Sequence, residues 1–314
     1  MPFLRVLSPG FLTTVQDLGR RELSHLGVSP AGAADDVALR LGNLLVENEP
    51  GAAALEMTLV GGSFRFESET VIALTGSDFQ AMLDGEPVSP WTSFLVRSGQ
   101  VLRCGPTKSG ARCYLCILGG IDVPRVLGSA STHLITGLGG LGGRSLLKGD
   151  IVSYGLGNSG SFRPRRLEKR VMDRLAGRNR LRVTVGPEAD LFSDGAIDVF
   201  TSSPYMVTEE ANRMGLRLAG APLKRLQAIE MITEGVSLGA VQVTHDGEPI
   251  ILFVDHQTTG GYPKIANIAS VDVRLVGQLR PRDEVRFELI TIERALSLLV
   301  EQESLITPNS LRFL

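Results

Sequence analysis

Between Asp255 and Tyr262 the chain reads DHQTTGGY, which places one carboxylate, one imidazole, one amide, two hydroxyls and one phenol in a single short stretch. Together Asp255, His256, Gln257, Thr258, Thr259 and Tyr262 both donate and accept hydrogen bonds, the chemistry that holds a carboxylate, an amide or a ureido group. Gly260 and Gly261 let main-chain N–H groups come close to a ligand, and Pro263 sets the exit from the loop. By composition alone the stretch serves equally well as a turn between strands, with Thr and Asp side chains satisfying nearby backbone groups. Asn212 and Arg213 form a second polar pair, since an arginine forks well onto a carboxylate, although a surface ion pair is its commoner fate. In the N-terminal half Gln16, Asp17 and Arg20 make a polar knot with Asp35 that fits structural pinning better than catalysis.

Other motifs fail on context. GLGGLG at Gly137 to Gly142 matches a dinucleotide fingerprint by letter, but no long helix follows and no acidic residue stands about 20 positions on. A glycine-rich loop packed near another backbone or a small ligand fits better. No phosphate-cradling G-x-x-x-x-G-K-[ST] loop occurs, so ATP chemistry is expected from another chain. GNSGS at Gly157 to Ser161 departs from a nucleophile elbow at its fifth position. His25, His133, His245 and His256 show no H-E-x-x-H spacing, so no metal centre is expected, and each reads as a surface or satisfied structural histidine. Cys113 and Cys116 lie in the strand-like run RCYLCIL, where an offset of three points the thiols to opposite faces; with Cys104 they read as reduced, buried thiols.

The elements that must position these groups are mostly strands. Short apolar or alternating runs such as VIALTG, CYLCILGG, LRVTVG and EVRFELI are punctuated by glycine, proline and Asp-Gly at intervals of roughly ten residues, a pattern of β-sandwiches and barrels. Helical periodicity is clear at Asp35 to Glu47, where Val37, Leu41, Leu44 and Leu45 share a face, and at Thr291 to Glu303, where Ile292, Ala295, Leu296 and Leu299 do. A chain of 314 residues predicts two lobes, 1–160 and 180–314, joined by an arginine-rich surface connection from Ser159 to Arg182. FQAMLDGEPV and VQVTHDGEPI share Gln, Asp, Gly, Glu and Pro in register, which pairs Gln80 with Gln242 and points to two related lobes. With 43% hydrophobic and 21% charged residues and a net charge of -2, the chain is globular and has no basic footprint for nucleic acid. Neither a leader peptide nor an apolar run long enough to span a bilayer is apparent, so a cytoplasmic protein without membrane contact is expected.

The DHQTTGGYP stretch resembles the signature of a family long labelled allophanate hydrolase subunit 2. Further matches run along nearly the whole chain: TTVQDLGR (Thr13 to Arg20), GVSPAGAAD (Gly27 to Asp35), LEMTLVGG (Leu55 to Gly62), GGIDVPRVLGSAST (Gly119 to Thr132), ANRMGLRLAG (Ala211 to Gly220) and EGVSLGAVQV (Glu234 to Val243). His256 stands where the family often has arginine, Ala130 where it often has arginine, Ala211 where serine is frequent and Thr244 where proline is common. The family includes the C subunit of bacterial ATP-dependent 5-oxoprolinase, the regulator KipA, and half of the carboxyltransferase region of urea carboxylase. The resemblance implies a mainly β chain with a few short helices and a cyclophilin-like β-barrel architecture. It implies obligate work with two sister subunits, one KipI-like and one LamB/YcsF-like, on a small polar substrate, the chain being inactive alone.

If that substrate is 5-oxoproline, Arg213, Gln242, Gln257, Tyr262 and the N–H groups of Gly260 and Gly261 are the expected donors. Asp255 then orients a donor or accepts the ring N–H, with Asn212, Thr258 and Thr259 completing the site; catalytic residues are not assigned. Two alternatives follow from the same resemblance. One is a carboxyltransferase subunit that works with carboxybiotin, whose carrier is a separate protein because no Met-Lys-Met motif occurs here. The other is a KipA-type regulator that sequesters its sister protein without turnover.

Overall fold

In the computed structural model, which describes residues 1–20, 22–157, 162–177, 180–226 and 231–314, the chain forms two units. The first joins Met1–Arg21, Ala31–Ala176 and Leu305–Leu314; the second joins Glu22–Pro30 and Gly177–Ser304. The boundaries expected from sequence, 1–160 and 180–314, leave out this interleaving.

The first unit contains β1 (Phe3–Ser8), β2 (Leu12–Gln16), β3 (Ala54–Thr58), β4 (Ser63–Phe66), β5 (Thr70–Gly76) and β6 (Met82–Leu83). It continues with β7 (Glu86–Pro87), β8 (Ser93–Val96), β9 (Val101–Arg103), β10 (Arg112–Ile117), β11 (Ile151–Ser153) and β12 (Arg165–Leu167). The strands β1 to β11 build one sheet of order β11-β1-β4-β9-β6-β7 and one of order β2-β3-β10-β5-β8. β10 shows why two layers and a helix result, because successive side chains of a strand point to opposite faces. Cys113, Leu115 and Ile117 join Leu4, Phe64, Phe66 and Leu102 in a core between the sheets. Tyr114 and Cys116 face the other way, against Ala38, Leu39 and Leu45 of α1 (Asp36–Leu45). The three thiols are therefore unpaired and buried, and desolvation pushes the Cys104 thiol up to about 12 and raises Cys113 and Cys116 further. Asp35 caps α1 by accepting a hydrogen bond from the Ala38 N–H, where a negative charge suits the helix N-terminus.

The stretch from Ser159 to Arg182 is not a bare surface connection. Within it lie β12, which pairs with the C-terminal strand Leu311–Phe313, and α2 (Lys169–Leu175). Leu167 and Val171 are buried with Val37, Leu41 and Ile306, while Arg165 lies over the Phe313 ring and pairs with Glu47. Four-residue spacing of Leu167, Val171 and Leu175 lays down an apolar stripe that the arginine count masks. Residues 158–161 and 178–179, including most of GNSGS, lie outside the described residues.

The second unit contains β13 (Arg180–Val185), β14 (Tyr205–Val207), β15 (Gly215–Gly220), β16 (Glu234–Gly235) and β17 (Ala240–Val243). It continues with β18 (Pro249–Leu252), β19 (Thr259–Gly260), β20 (Lys264–Ile268) and β21 (Glu284–Leu289). Seven of these close a barrel in the order β13-β20-β17-β18-β15-β14-β21, with β13 and β21 parallel. Phe200, from α3 (Ala196–Ser202), stacks on Phe287 at 4.1 Å, and Tyr205 tilts against both rings. After α4 (Val273–Val276) comes α5 (Ile292–Ser304), which differs from expectation: its sequence periodicity forms the helix, yet Ile292, Leu296 and Val300 remain 64%, 57% and 70% exposed. Its one fully buried residue is Gln302, whose Oε1 accepts from Arg274 Nε at 2.9 Å.

The two Asp-Gly-Glu-Pro stretches make different turns. Asp84 and Gly85, at φ of 49° and 94°, form a tight two-residue turn between β6 and β7. Residues 244–248 form a longer connection between β17 and β18, with Gly247 at φ 84°. What the stretches share is a glycine at positive φ, which many turns require.

Candidate functional site

The signature loop leaves β18, runs through β19 and enters β20. Its first half faces inward. Asp255 accepts from Arg213 Nε at 2.8 Å and Nη2 at 3.0 Å, its own N–H donates to the Arg213 carbonyl at 2.8 Å, and both side chains are buried. The fork that sequence reasoning reserved for a substrate carboxylate is thus closed on a carboxylate of the same unit, as a buried pair rather than a surface one. His256 is also buried; its Nδ1 lies 2.6 Å from the Gln257 carbonyl, and desolvation holds its pKa below the ordinary value. Asn212 is exposed, and its Oδ1 accepts from the Met214 N–H at 2.8 Å, so it shapes the turn before β15.

The second half faces solvent. Gln257, Thr259, Gly261 and Tyr262 are exposed, and Thr258 and Gly260 half-buried. β19 pairs with β16, Glu234 opposite Gly260 and Gly235 opposite Thr259, and the Thr258 carbonyl accepts from the Val236 N–H at 3.0 Å. Gln242, buried on β17, donates from Nε2 to the Tyr262 carbonyl at 3.2 Å. A Cβ on Gly260 would stand 2.7 Å from that amide nitrogen, so glycine is needed there for close approach rather than for a left-handed turn. The Tyr262 ring meets His245 edge-on at 5.5 Å. Gln242 and the loop from Thr258 to Tyr262 are therefore brought together, whereas Arg213 and Asp255 are tied to each other and Asn212 to its own turn.

Sequence reasoning missed Lys264. Its ammonium is buried beneath the loop, 3.1 Å from Glu188 Oε2 and paired also with Glu234. Burial lowers its pKa, but hydrogen bonds and charge from Glu234 and Glu188 outweigh that and leave it above its ordinary value. The available signal was a lysine inside the apolar strand KIANI, where a cation persists only if paired. Arg225 also reaches this end of the barrel, donating from Nη2 to the Val243 carbonyl.

The N-terminal knot pins main chain. Asp17 accepts from the hydroxyls of Ser129 and Ser131 at 2.6 Å each, from the Gly19 N–H at 2.8 Å and from the Ala130 N–H at 2.7 Å, while Arg20 caps the Ser131 and Val126 carbonyls. Asp35 is spent on α1. Cβ atoms on Gly139 and Gly140 would collide with the Ser131 carbonyl and the Thr132 side chain, which accounts for these two glycines of the loop as close packing. Among the described residues no His, Cys, Asp and Glu cluster is placed to hold a metal ion, and no helix is long and apolar enough to cross a membrane.

A closed barrel that offers an amide, a phenol and paired charges at one loop defines a scaffold suited to holding and orienting a small polar molecule. A family described as carboxyltransferase domain, subdomain A and B, matches residues 26–289, and the chain belongs to that family. It is 40% identical to the 5-oxoprolinase C subunit of Escherichia coli (strain K12), over 96% of this chain and 95% of that one. It is 35% identical to the 5-oxoprolinase C subunit of Haemophilus influenzae, over 91% of this chain and 90% of that one. Among solved structures, the urea amidolyase of Kluyveromyces lactis superposes with a TM-score of 0.92 at 33% identity, covering 98% of this chain and 20% of that much longer one.

Proposed function

We propose that this chain is the C subunit of an ATP-dependent 5-oxoprolinase, which converts 5-oxoproline, ATP and water to glutamate, ADP and phosphate in the cytoplasm. The observation that carries this reading is end-to-end similarity to the Escherichia coli protein of that name. The chain works with two sister subunits, one KipI-like and one LamB/YcsF-like, and is inactive alone. Its contribution is positioning: Gln242, Gln257, Tyr262 and the N–H group of Gly261 hold the lactam in the orientation required by reacting groups that the sister subunits supply, while the Gly260 N–H is taken up by the pairing of β19 with β16. The described residues do not fit ATP, because Lys264 is neutralised by two carboxylates and, in the stretch from Gly137 to Gly142, Gly139 packs on the Ser131 carbonyl and Gly140 on Thr132. No step through the nucleotide is assigned to this chain.

Co-purification with both sister subunits, followed by assay of 5-oxoproline-dependent ATP hydrolysis and glutamate release, tests the reading; an intact complex of all three subunits without turnover sinks it. Gln257→Ala and Tyr262→Phe are each expected to lower that turnover about tenfold, the worth of one hydrogen bond, while leaving association of the subunits unchanged. Full activity in both would remove the loop from the site. The close superposition on urea amidolyase favours one second reading, a carboxyltransferase subunit served by a separate biotin carrier. Biotin-dependent carboxylation of urea by the complex, without glutamate release, would establish that instead.

A further inference from the structure

Three buried or half-buried cations approach the signature loop, and two are neutralised within the unit: Arg213 by Asp255 and Lys264 by Glu188 and Glu234. Arg225 is different. Its Nη2 donates to the Val243 carbonyl, its Nε is buried without a hydrogen-bond partner, and no carboxylate pairs with it among the described residues. A buried guanidinium donor left without an acceptor is costly, and each such group calls for an explanation, a bound anion being one.

The surrounding main chain fixes where that donor sits. Arg225 bridges Phe192, the Ser193 N–H donates to the Lys224 carbonyl at 3.0 Å, and the Leu226 N–H donates to the Leu191 carbonyl at 3.0 Å. The side chain is thus presented from an anchored segment. Val243, which receives Nη2, donates its own N–H to the Pro263 carbonyl at 3.0 Å, and the preceding Gln242 holds the Tyr262 carbonyl. Arg225, Gln242 and Tyr262 therefore converge at one end of β17. Burial holds the Arg225 guanidinium below its ordinary pKa, with the Tyr262 phenol pulling the other way, as expected of a cation short of counter-charge beside that ring.

We propose that Arg225 is the carboxylate-binding residue of this barrel, gripping the acid group of a small lactam acid beside Gln242 and Tyr262. The identity of the acid rests on the 5-oxoprolinase reading; the anion site does not. It also separates the two readings of function, since urea has no carboxylate for Arg225 to hold.

In the active complex, Arg225→Met is expected to raise KM for 5-oxoproline roughly 10- to 100-fold with little change in kcat, and Arg225→Lys to recover part of the loss, because a point charge replaces a fork. A structural role would lower kcat and thermal stability together without this split. An active complex in which Arg225→Met keeps the wild-type KM overturns the subsite and leaves the function standing. If the wild-type complex shows no turnover, the function falls and Arg225 is judged by phenylglyoxal labelling of the purified chain, read by mass spectrometry. Protection of Arg225 by 5-oxoproline or glutarate, but not by neutral 2-pyrrolidone, supports the anion site; equal labelling with and without these carboxylates overturns it.

Discussion

Arg213 and Arg225 are the same residue type twelve positions apart, and what separates them is the company each keeps. Arg213 is held by both oxygens of Asp255 in a buried pair, so it braces the start of the signature loop against the turn before β15. Removing one partner of such a pair strands the other charge in a dry setting, which typically costs about 3–5 kcal/mol, whereas replacing both by apolar groups is often neutral. Asp255→Ala is therefore expected to destabilise the barrel unit by about 3–5 kcal/mol in urea unfolding, and Arg213→Met with Asp255→Leu to recover most of the loss. A loss below about 1 kcal/mol for Asp255→Ala would mean that the pair is not bracing the loop.

At the scale of elements, α1 and α5 show how far amphipathic patterning reaches. Both helices form where apolar residues recur at helical spacing. Only α1 turns its stripe onto a sheet, and it can do so because Gly42 lies against β5 and β10: a Cβ there would stand 2.6 Å from both Cys116 Sγ and Thr75 Oγ1. Thr75 cannot swing away freely, since its hydroxyl donates to the Ala38 carbonyl at 2.7 Å. In an exposed helix Gly→Ala stabilises by up to about 1 kcal/mol. Here Gly42→Ala is expected to destabilise by roughly 1–3 kcal/mol through overpacking, and adding Cys116→Ala to restore part of it. Thermal melts of the three proteins check this; a stabilised Gly42→Ala would show that the helix and sheet separate at little cost. For α5 the same periodicity leaves Ile292, Leu296 and Val300 exposed, because a sequence pattern sets which residues share a face and not what that face meets.

For the molecule as a whole, the first unit is closed by the last residues of the chain. Leu311–Phe313 pairs with β12, the Leu314 N–H donates to the Pro164 carbonyl at 2.9 Å, and Ile306 is buried with Leu167 and Val171. Deleting residues 305–314 is expected to destabilise the first unit by at least the about 1.5–3 kcal/mol that burying one Ile contributes, and to speed amide exchange in β12 and α2. Unchanged exchange there would show that this closure is dispensable. The β-rich character, the helix at α1, the opposed faces of Cys113 and Cys116 and the polar signature loop were legible in the sequence, because alternation, turn residues and helical spacing act over a few neighbours. The interleaved units were not, since nothing local in Leu305–Leu314 says which strand it joins. Nor was the fate of the charged side chains: Arg213 and Asp255 lie 42 positions apart and Lys264 and Glu188 76 apart, so their pairing exists only once the barrel has closed. The sequence by itself determined which groups were available to the site and that a loop of polar residues and glycines would carry them. Tertiary structure alone decided which of the cations at the loop has no carboxylate partner among the described residues, because neutralisation depends on burial and proximity between strands distant in the chain.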